Sequence, residues 1–375
     1  MKACGIIVEY NPLHNGHIHH INEVKRLSKA DCIVAIMSGN FVQRGEPAII
    51  DKWKRSELAI EYGVDLVIEL PYVYVNQSAD LFSYGAVDLL NKLKVSSLYF
   101  GSETNDIKSM KEIAGLFNSV QFQDKIKEFL DNGNNYPSAS GKAVMELTGK
   151  NFTSNDNLGI QYINSINRLN SKIKPYSIQR IHSNYLDKSA LHESIASATA
   201  IRGMANPADF VPEMTLKHLK REKYTWEMYY ELLKYQLVSS SNLDEIALVY
   251  EGIENRFLKH LHFSSFQEFI DGVYTRRYPQ NRIRRTLLNI LLNISKKDIE
   301  DCNLHKGNKY IRILGMNDKG RVYLNSIKKN LEVPLLTKAV DNKYKALDIE
   351  IKTTKIFDYN KLEKEFKPLK YKKST

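Results

Sequence analysis

Over the first 100 residues, short apolar runs alternate with segments whose apolar positions recur every three or four residues. The runs are Lys2–Glu9, Asp31–Met37, Leu66–Leu70 and Ser97–Phe100. They are largely apolar throughout instead of alternating, as strands buried on both faces are. Between the first two, His17–Ser28 puts Ile18, Ile21, Val24 and Leu27 on one helical side. Asp51–Tyr62 opens on a capping aspartate and stops at Gly63, and Asp80–Leu93 gives a third helix with Asp80 as cap or substrate contact. Strands separated by helices at this spacing predict βαβ units and a parallel sheet, that is, an α/β Rossmann-like core. Ile107–Leu169 is patterned as helix, and Lys174–Ile181 as a further strand of the same sheet.

A boundary is predicted near Asn206–Pro207, dividing a catalytic domain, 1–206, from a region 207–375. The second region is mainly helical, with a small α+β part beyond about residue 305 ("KYIRILGM", "VPLLTKAV"). Charge sharpens this division. Residues 1–200 hold 21 Lys+Arg and 21 Asp+Glu, whereas residues 201–375 hold 33 and 22 and carry the whole net charge of +11. A neutral half joined to a basic half suits a catalytic module with an arm for a polyanion, the alternative being an ordinary basic surface. The Lys-rich last 25 residues are expected to fray and to add mainly nonspecific attraction. Cys4, Cys32 and Cys302 are far apart and form no C-x-x-C, so neither a disulfide framework nor a zinc knuckle is suggested and a reducing cytoplasm fits best. No run approaches the roughly 18 apolar residues of a membrane span.

The chemistry concentrates in "GIIVEYNPLHNGHIHH", residues 5–20. Its strand ends at the carboxyl edge where such sheets bind ligands, and a helix N-terminus follows that favours an anion. Gly16 permits close backbone approach, and His14 and His17, three apart, can both face that point as donors to phosphate. A metal site and surface histidines without a role are the competing readings. The P-loop and G-x-G-x-x-G patterns are absent.

"HNGH" (His14–His17) resembles the H-x-G-H signature of the nucleotidyltransferase superfamily. "ASATAIR" (Ala196–Arg202) is similar to its I-S-S-T-x-I-R loop, with Ala198 where a second Ser is common. With "SGNFVQRGEPAIIDKWKRSELAI", "DLVIELP" and "SNDNLGIQYI", the chain resembles the tRNA(Met) cytidine acetate ligase family along nearly its whole length, most densely over 1–205. The resemblance implies activation of acetate with ATP to acetyl-adenylate, then transfer of acetyl to N4 of the wobble cytidine of elongator tRNA(Met). It implies an ATP site formed by Ile7, Val8, Glu9, Tyr10, Asn11, Pro12, Leu13, His14, Asn15, Gly16, His17, Ile18, His19 and His20, with His14 and His17 catalytic. Gly101, Asn155, Arg180, Ser197, Thr199 and Arg202 complete that expected site. The alternatives are a strand-ending turn for Gly101, a helix cap for Asn155 and Ser197, and a surface ion pair for Arg180.

Ser38, Gly39, Asn40, Gln43 and Arg44, with Glu46 and Lys52, are expected to line an acetate or cytidine pocket, unless their segment is a structural loop. For RNA, "YTRRYPQNRIRR" interleaves Arg276, Arg277, Arg282, Arg284 and Arg285 with Tyr274 and Tyr278, able to hold phosphates and stack on bases, or else forms a solvated helix face. ATP is expected with Mg2+ and no dedicated carboxylate cage. Two rivals share the histidine turn: a nucleotidyltransferase for a small phosphorylated metabolite, which needs no basic second half, and a non-catalytic RNA-binding protein, against which intact His14, Gly16, His17 and Arg202 argue. A class I aminoacyl-tRNA synthetase lacks support, as no K-M-S-K-S loop is present.

Overall fold

The computed structural model describes residues 1–181, 194–340, 343–367 and 369. Its strands are β1 (Ala3–Val8), β2 (Cys32–Ser38), β3 (Phe41–Val42), β4 (Glu46–Pro47), β5 (Leu66–Leu70), β6 (Ser97–Ser102), β7 (Lys174–Gln179), β8 (Ile311–Met316) and β9 (Leu335–Leu336). Seven strands form one sheet in the order β7-β6-β1-β2-β5-β8-β9, and β3 and β4 pair as a small hairpin. Within the sheet, β8 runs antiparallel to β5 and every other pairing is parallel. After β5 the chain returns to the far side of β1 to form β6, so the order reverses between β1 and β6. A crevice at such a reversal, outside the carboxyl ends, is where ligands of open α/β sheets bind.

The apolar runs become strands because both faces are covered. Every residue of β2 and β5 is buried. Ile33, Ala35 and Met37 pack with Ile21, Val24, Leu58 and Ala59 of the helices Asn15–Ser28 and Lys52–Glu61. The alternate residues Val34 and Ile36 join Val87, Leu90, Ile160 and Ile163 of the helices Ala79–Lys92 and Ser154–Arg168. Each such side chain contributes about 1.5–3 kcal/mol through removal from water.

The chain beyond residue 206 is joined to this frame in two ways. Tyr229, Leu233, Phe257, Phe269, Ile283 and Leu287 belong to the same apolar cluster as Val34 and Leu66. The segments expected in a small α+β part beyond residue 305 supply β8 and β9, which extend the first-half sheet past β5. A strand's partner is not encoded in its own sequence, so the apolar run at 311–316 predicts an element without predicting its neighbour. The last 25 residues, expected to fray, do not do so up to residue 367: the helix Lys345–Phe357 runs into them and Glu365 is buried, while the Lys-rich end from residue 370 lies outside the described residues. Among the described residues, no helix is long and apolar enough to cross a membrane.

Candidate active site

The turn after β1 is built by its histidines. His14 is the N-cap of the helix Asn15–Ser28, where it accepts a hydrogen bond at Nδ1 from the Gly16 N–H (3.1 Å). His17 Nδ1 in turn accepts from the His14 N–H (3.3 Å), closing a capping box made of imidazoles. The two rings lie 3.7 Å apart, and Tyr10 meets the His17 ring edge-on at 5.0 Å. Burial pushes His14 down to about 4, helped by the Arg180 guanidinium, and drives His17 well below its ordinary value. Both rings are therefore neutral at pH 7. With each Nδ1 accepting, the single proton sits on Nε2, which these contacts leave free to donate. A Cβ at residue 16 would stand 3.0 Å from the His14 ring, so Gly16 is what lets that ring fold back over the helix end.

The other predicted ATP residues fall around the same mouth. Ile7 and Val8 end β1, Asn11, Pro12 and Leu13 are buried across a cis Asn11–Pro12 bond, and Ile18, His19 and His20 continue into the helix. Burial holds His20 down to about 4. The segments flanking the second signature reach the first: Asn15 Nδ2 donates to Ser194 O (3.0 Å) and to Asp209 O (3.0 Å). Ser197 caps the short helix Ala198–Gly203 by accepting from the Ala200 N–H (3.1 Å). From that helix Arg202 Nη1 donates to Asn11 O (2.9 Å), while Nη2 reaches Thr199 Oγ1 (3.4 Å) and Glu46 (3.1 Å).

Across the crevice, Gly101 lies in β6 with the Arg180 side chain beside it. Arg180 follows β7 and pairs with Glu103 (3.5 Å). Glu103 also accepts from Asn155 Nδ2 and from Thr153 Oγ1 (2.5 Å), and Thr153, not Asn155, is the N-cap of its helix. Glu103 thus gathers Asn155 and Arg180. Nothing in "GSETND" flags it, because its partners lie 50 or more residues away.

The polar segment after β2 turns inward. Arg55, fully buried, donates to the backbone oxygens of Glu9 (2.5 Å), Ile50 (2.9 Å) and Gly39. Ser38 and Asn40 are buried, with Asn40 donating to Thr354 Oγ1 (2.9 Å) and accepting from the Lys52 N–H (3.1 Å). Lys52 is sealed among Glu69 (2.6 Å), Glu365 (2.6 Å) and Glu350 (3.3 Å), so it lines no open pocket. Arg312 adds a second cation at Glu365 (2.7 Å). Burial, then Glu350, pushes the Glu69 carboxyl up, against the opposing pull of Lys52 and Arg312. Gln43 is half-buried, its N–H donating to Glu9 Oε1 (2.7 Å), and Arg44 is exposed.

The arginine segment is divided by its fold. Arg276 and Arg277 are exposed, and Arg277 and Arg282 share Glu251 at 3.0 and 3.5 Å. Arg284 and Arg285 point into the protein from the helix Gln280–Leu291: Arg284 pairs with Glu46 (3.1 Å), and Arg285 donates to Gln43 O (3.4 Å). Helical periodicity explains this, since the helix buries Ile283 and Leu287 and turns its neighbours inward with them. Among the described residues, no group of three or more His, Cys, Asp or Glu is arranged to hold a metal ion.

Comparison with known proteins places this geometry. The profile of the HIGH Nucleotidyl Transferase family matches residues 1–372. The tRNA(Met) cytidine acetate ligase of Anoxybacillus flavithermus is 39% identical over 95% of this chain and 94% of its own. That of Bacillus subtilis is 39% identical over 95% and 92%. Among solved structures, Thermotoga maritima TmcAL bound with alpha-thio ATP superposes with a TM-score of 0.88 at 32% identity, covering both chains completely. Likeness of this extent, spanning both halves of the sheet and both signatures, settles the affiliation: the chain belongs to the tRNA(Met) cytidine acetate ligase family of HIGH nucleotidyl transferases.

Proposed function

We propose that this protein joins acetate to ATP as acetyl-adenylate and transfers the acetyl group to N4 of the wobble cytidine of elongator tRNA(Met). The observation that carries the reading is the pair of neutral imidazoles, each with Nδ1 engaged, at the helix N-terminus beside a turn that Arg202 of the second signature grips at Asn11 O. ATP enters as its magnesium complex, the ion travelling on the phosphates. An acetate oxygen attacks the α-phosphorus, the bond to the bridging oxygen breaks, and diphosphate leaves. His14 and His17 donate from Nε2 to the phosphate oxygens, and Arg180 and Arg202 supply the positive charge that neutral rings do not. Positioning and charge stabilisation suffice, with no protein nucleophile. The cytidine N4 then attacks the acetyl carbonyl, AMP leaves with the carbon–oxygen bond electrons, and the N4 proton goes to solvent or a base.

Gln43 and Arg44 are our candidates for contact with acetate or the base, because they are the less buried members of their loop. Arg276, Arg277 and Arg282, beside the half-exposed Tyr274, are our candidates for RNA contact. The three unpaired cysteines and the RNA substrate fit the cytoplasm. The test is ATP–diphosphate exchange with a panel of carboxylates, followed by mass spectrometry of tRNA nucleosides after incubation with ATP and labelled acetate. Acetate-dependent exchange and a labelled acetylcytidine are expected. Absence of exchange with acetate overturns the reading.

A further inference from the structure

Glu46, in the β3–β4 hairpin, is held by two arginines at once. Its Oε1 accepts from Arg284 Nη1 and its Oε2 from Arg202 Nη2, each at 3.1 Å. All three side chains are about four-fifths buried. Arg202 belongs to the second nucleotide signature, and Arg284 to the helix that carries Arg282. The hairpin has little freedom to relax around this bridge. Gly45 sits directly against the backbone of Arg284 and Arg285, and Trp226 Nε1 donates to Gly45 O (2.9 Å).

We propose that Glu46 is a positioning residue through which the nucleotide site and the RNA-facing helix sense each other; this rests on the function proposed above. One carboxylate shared by two guanidiniums is a divided resource. When a triphosphate takes Arg202, Glu46 is left wholly to Arg284 and holds the helix Gln280–Leu291 against the hairpin. When diphosphate departs, Arg202 returns to Glu46 and the grip on Arg284 loosens. RNA therefore binds more weakly while a triphosphate occupies Arg202 than once Arg202 is back on Glu46, so RNA engages the protein poorly until diphosphate has left. By linkage, RNA weakens ATP binding by the same factor.

The experiment measures equilibrium binding of a tRNA(Met) transcript to the full chain, with and without a saturating non-hydrolysable ATP analogue. The reverse titration of the analogue, with and without RNA, completes the cycle. In the wild type, RNA affinity is expected to fall about fivefold or more with the analogue present. In Glu46→Gln, which keeps the shape and loses the charge, that difference is expected to collapse, and Glu46→Asp to retain part of it. General repulsion between two polyanions would persist in Glu46→Gln, so equal coupling in variant and wild type overturns the inference. So does RNA binding indifferent to the analogue in the wild type, a result that needs no variant to fold. A transcript that fails to bind under any condition overturns the functional reading instead, and this inference with it.

Discussion

At His14 one imidazole caps a helix and stands at the mouth of the crevice, so replacement by alanine mixes two losses. Asparagine separates them, because it caps as well as any residue but cannot offer an Nε2–H. His14→Asn is expected to leave stability at pH 7 within about 1 kcal/mol of wild type while slowing acetate-dependent ATP–diphosphate exchange more than about tenfold. Exchange at the wild-type rate would remove His14 from the chemistry. The same residue shapes acid stability. Folded His14 and His20 titrate down at about 4, below the ordinary value of about 6.5 that the unfolded chain keeps. Between these values the unfolded state binds more protons, so stability falls as pH falls through 6.5 towards 4. Each ring costs about 2 kcal/mol at pH 5 relative to pH 7. Urea unfolding at the two pH values is expected to show that loss, smaller in His14→Asn by about one ring's share.

At the scale of elements, the hairpin of β3 and β4 is wedged between the nucleotide side and the arginine helix. Gly45 has φ +76°, and a Cβ there would lie 2.5 Å from Arg285 N and 2.6 Å from Arg284 C. Both neighbours are backbone, so neither can swing aside. Gly45→Ala is expected to cost about 2 kcal/mol or more in urea unfolding and to shift Trp226 fluorescence, since the indole N–H bonds Gly45 O. An unchanged midpoint would mean that hairpin and helix are not in firm contact. The sequence foretells elements of this kind unevenly. β1, β2, β5 and β6 can be read from it because burial on both faces writes a continuous apolar run into the strand itself. The histidine turn can be read because its residues are contiguous. Glu103 is silent, and Glu46 reads as a pocket residue and not as an arginine bridge, because what makes them matter is a partner 50 to 240 residues away, and no local pattern records such a pairing. Likewise "NRIRR" reads as a uniformly basic stretch until the helix turns Arg284 inward and leaves Arg282 nearer the surface.

For the whole molecule, the cluster around Lys52 joins the two ends of the chain. Glu69 comes from β5, Glu350 and Glu365 from the last helices, and Arg312 from β8. Removing one partner of a buried ionic group leaves the others uncompensated, which costs about 3–5 kcal/mol. Lys52→Met is expected to lose that much in urea unfolding, and a loss below about 1 kcal/mol would show that the cluster is solvated or readily neutralised. The same contacts bear on the predicted division at 206. Because β8 covers the edge of β5 and the later helices share the first-half core, the basic region closes the catalytic sheet as well as carrying charge.

That closure sets a timetable for biosynthesis. A ribosome releases Lys52 298 residues before Glu350, and Glu365 later still. At 5–20 residues per second this interval lasts roughly 15–60 s. Throughout it the nascent chain holds an ammonium without its distal counter-ions, and until β8 emerges the margin of β5 lies open to strangers, so the buried cluster completes only when Glu350 and Glu365 arrive.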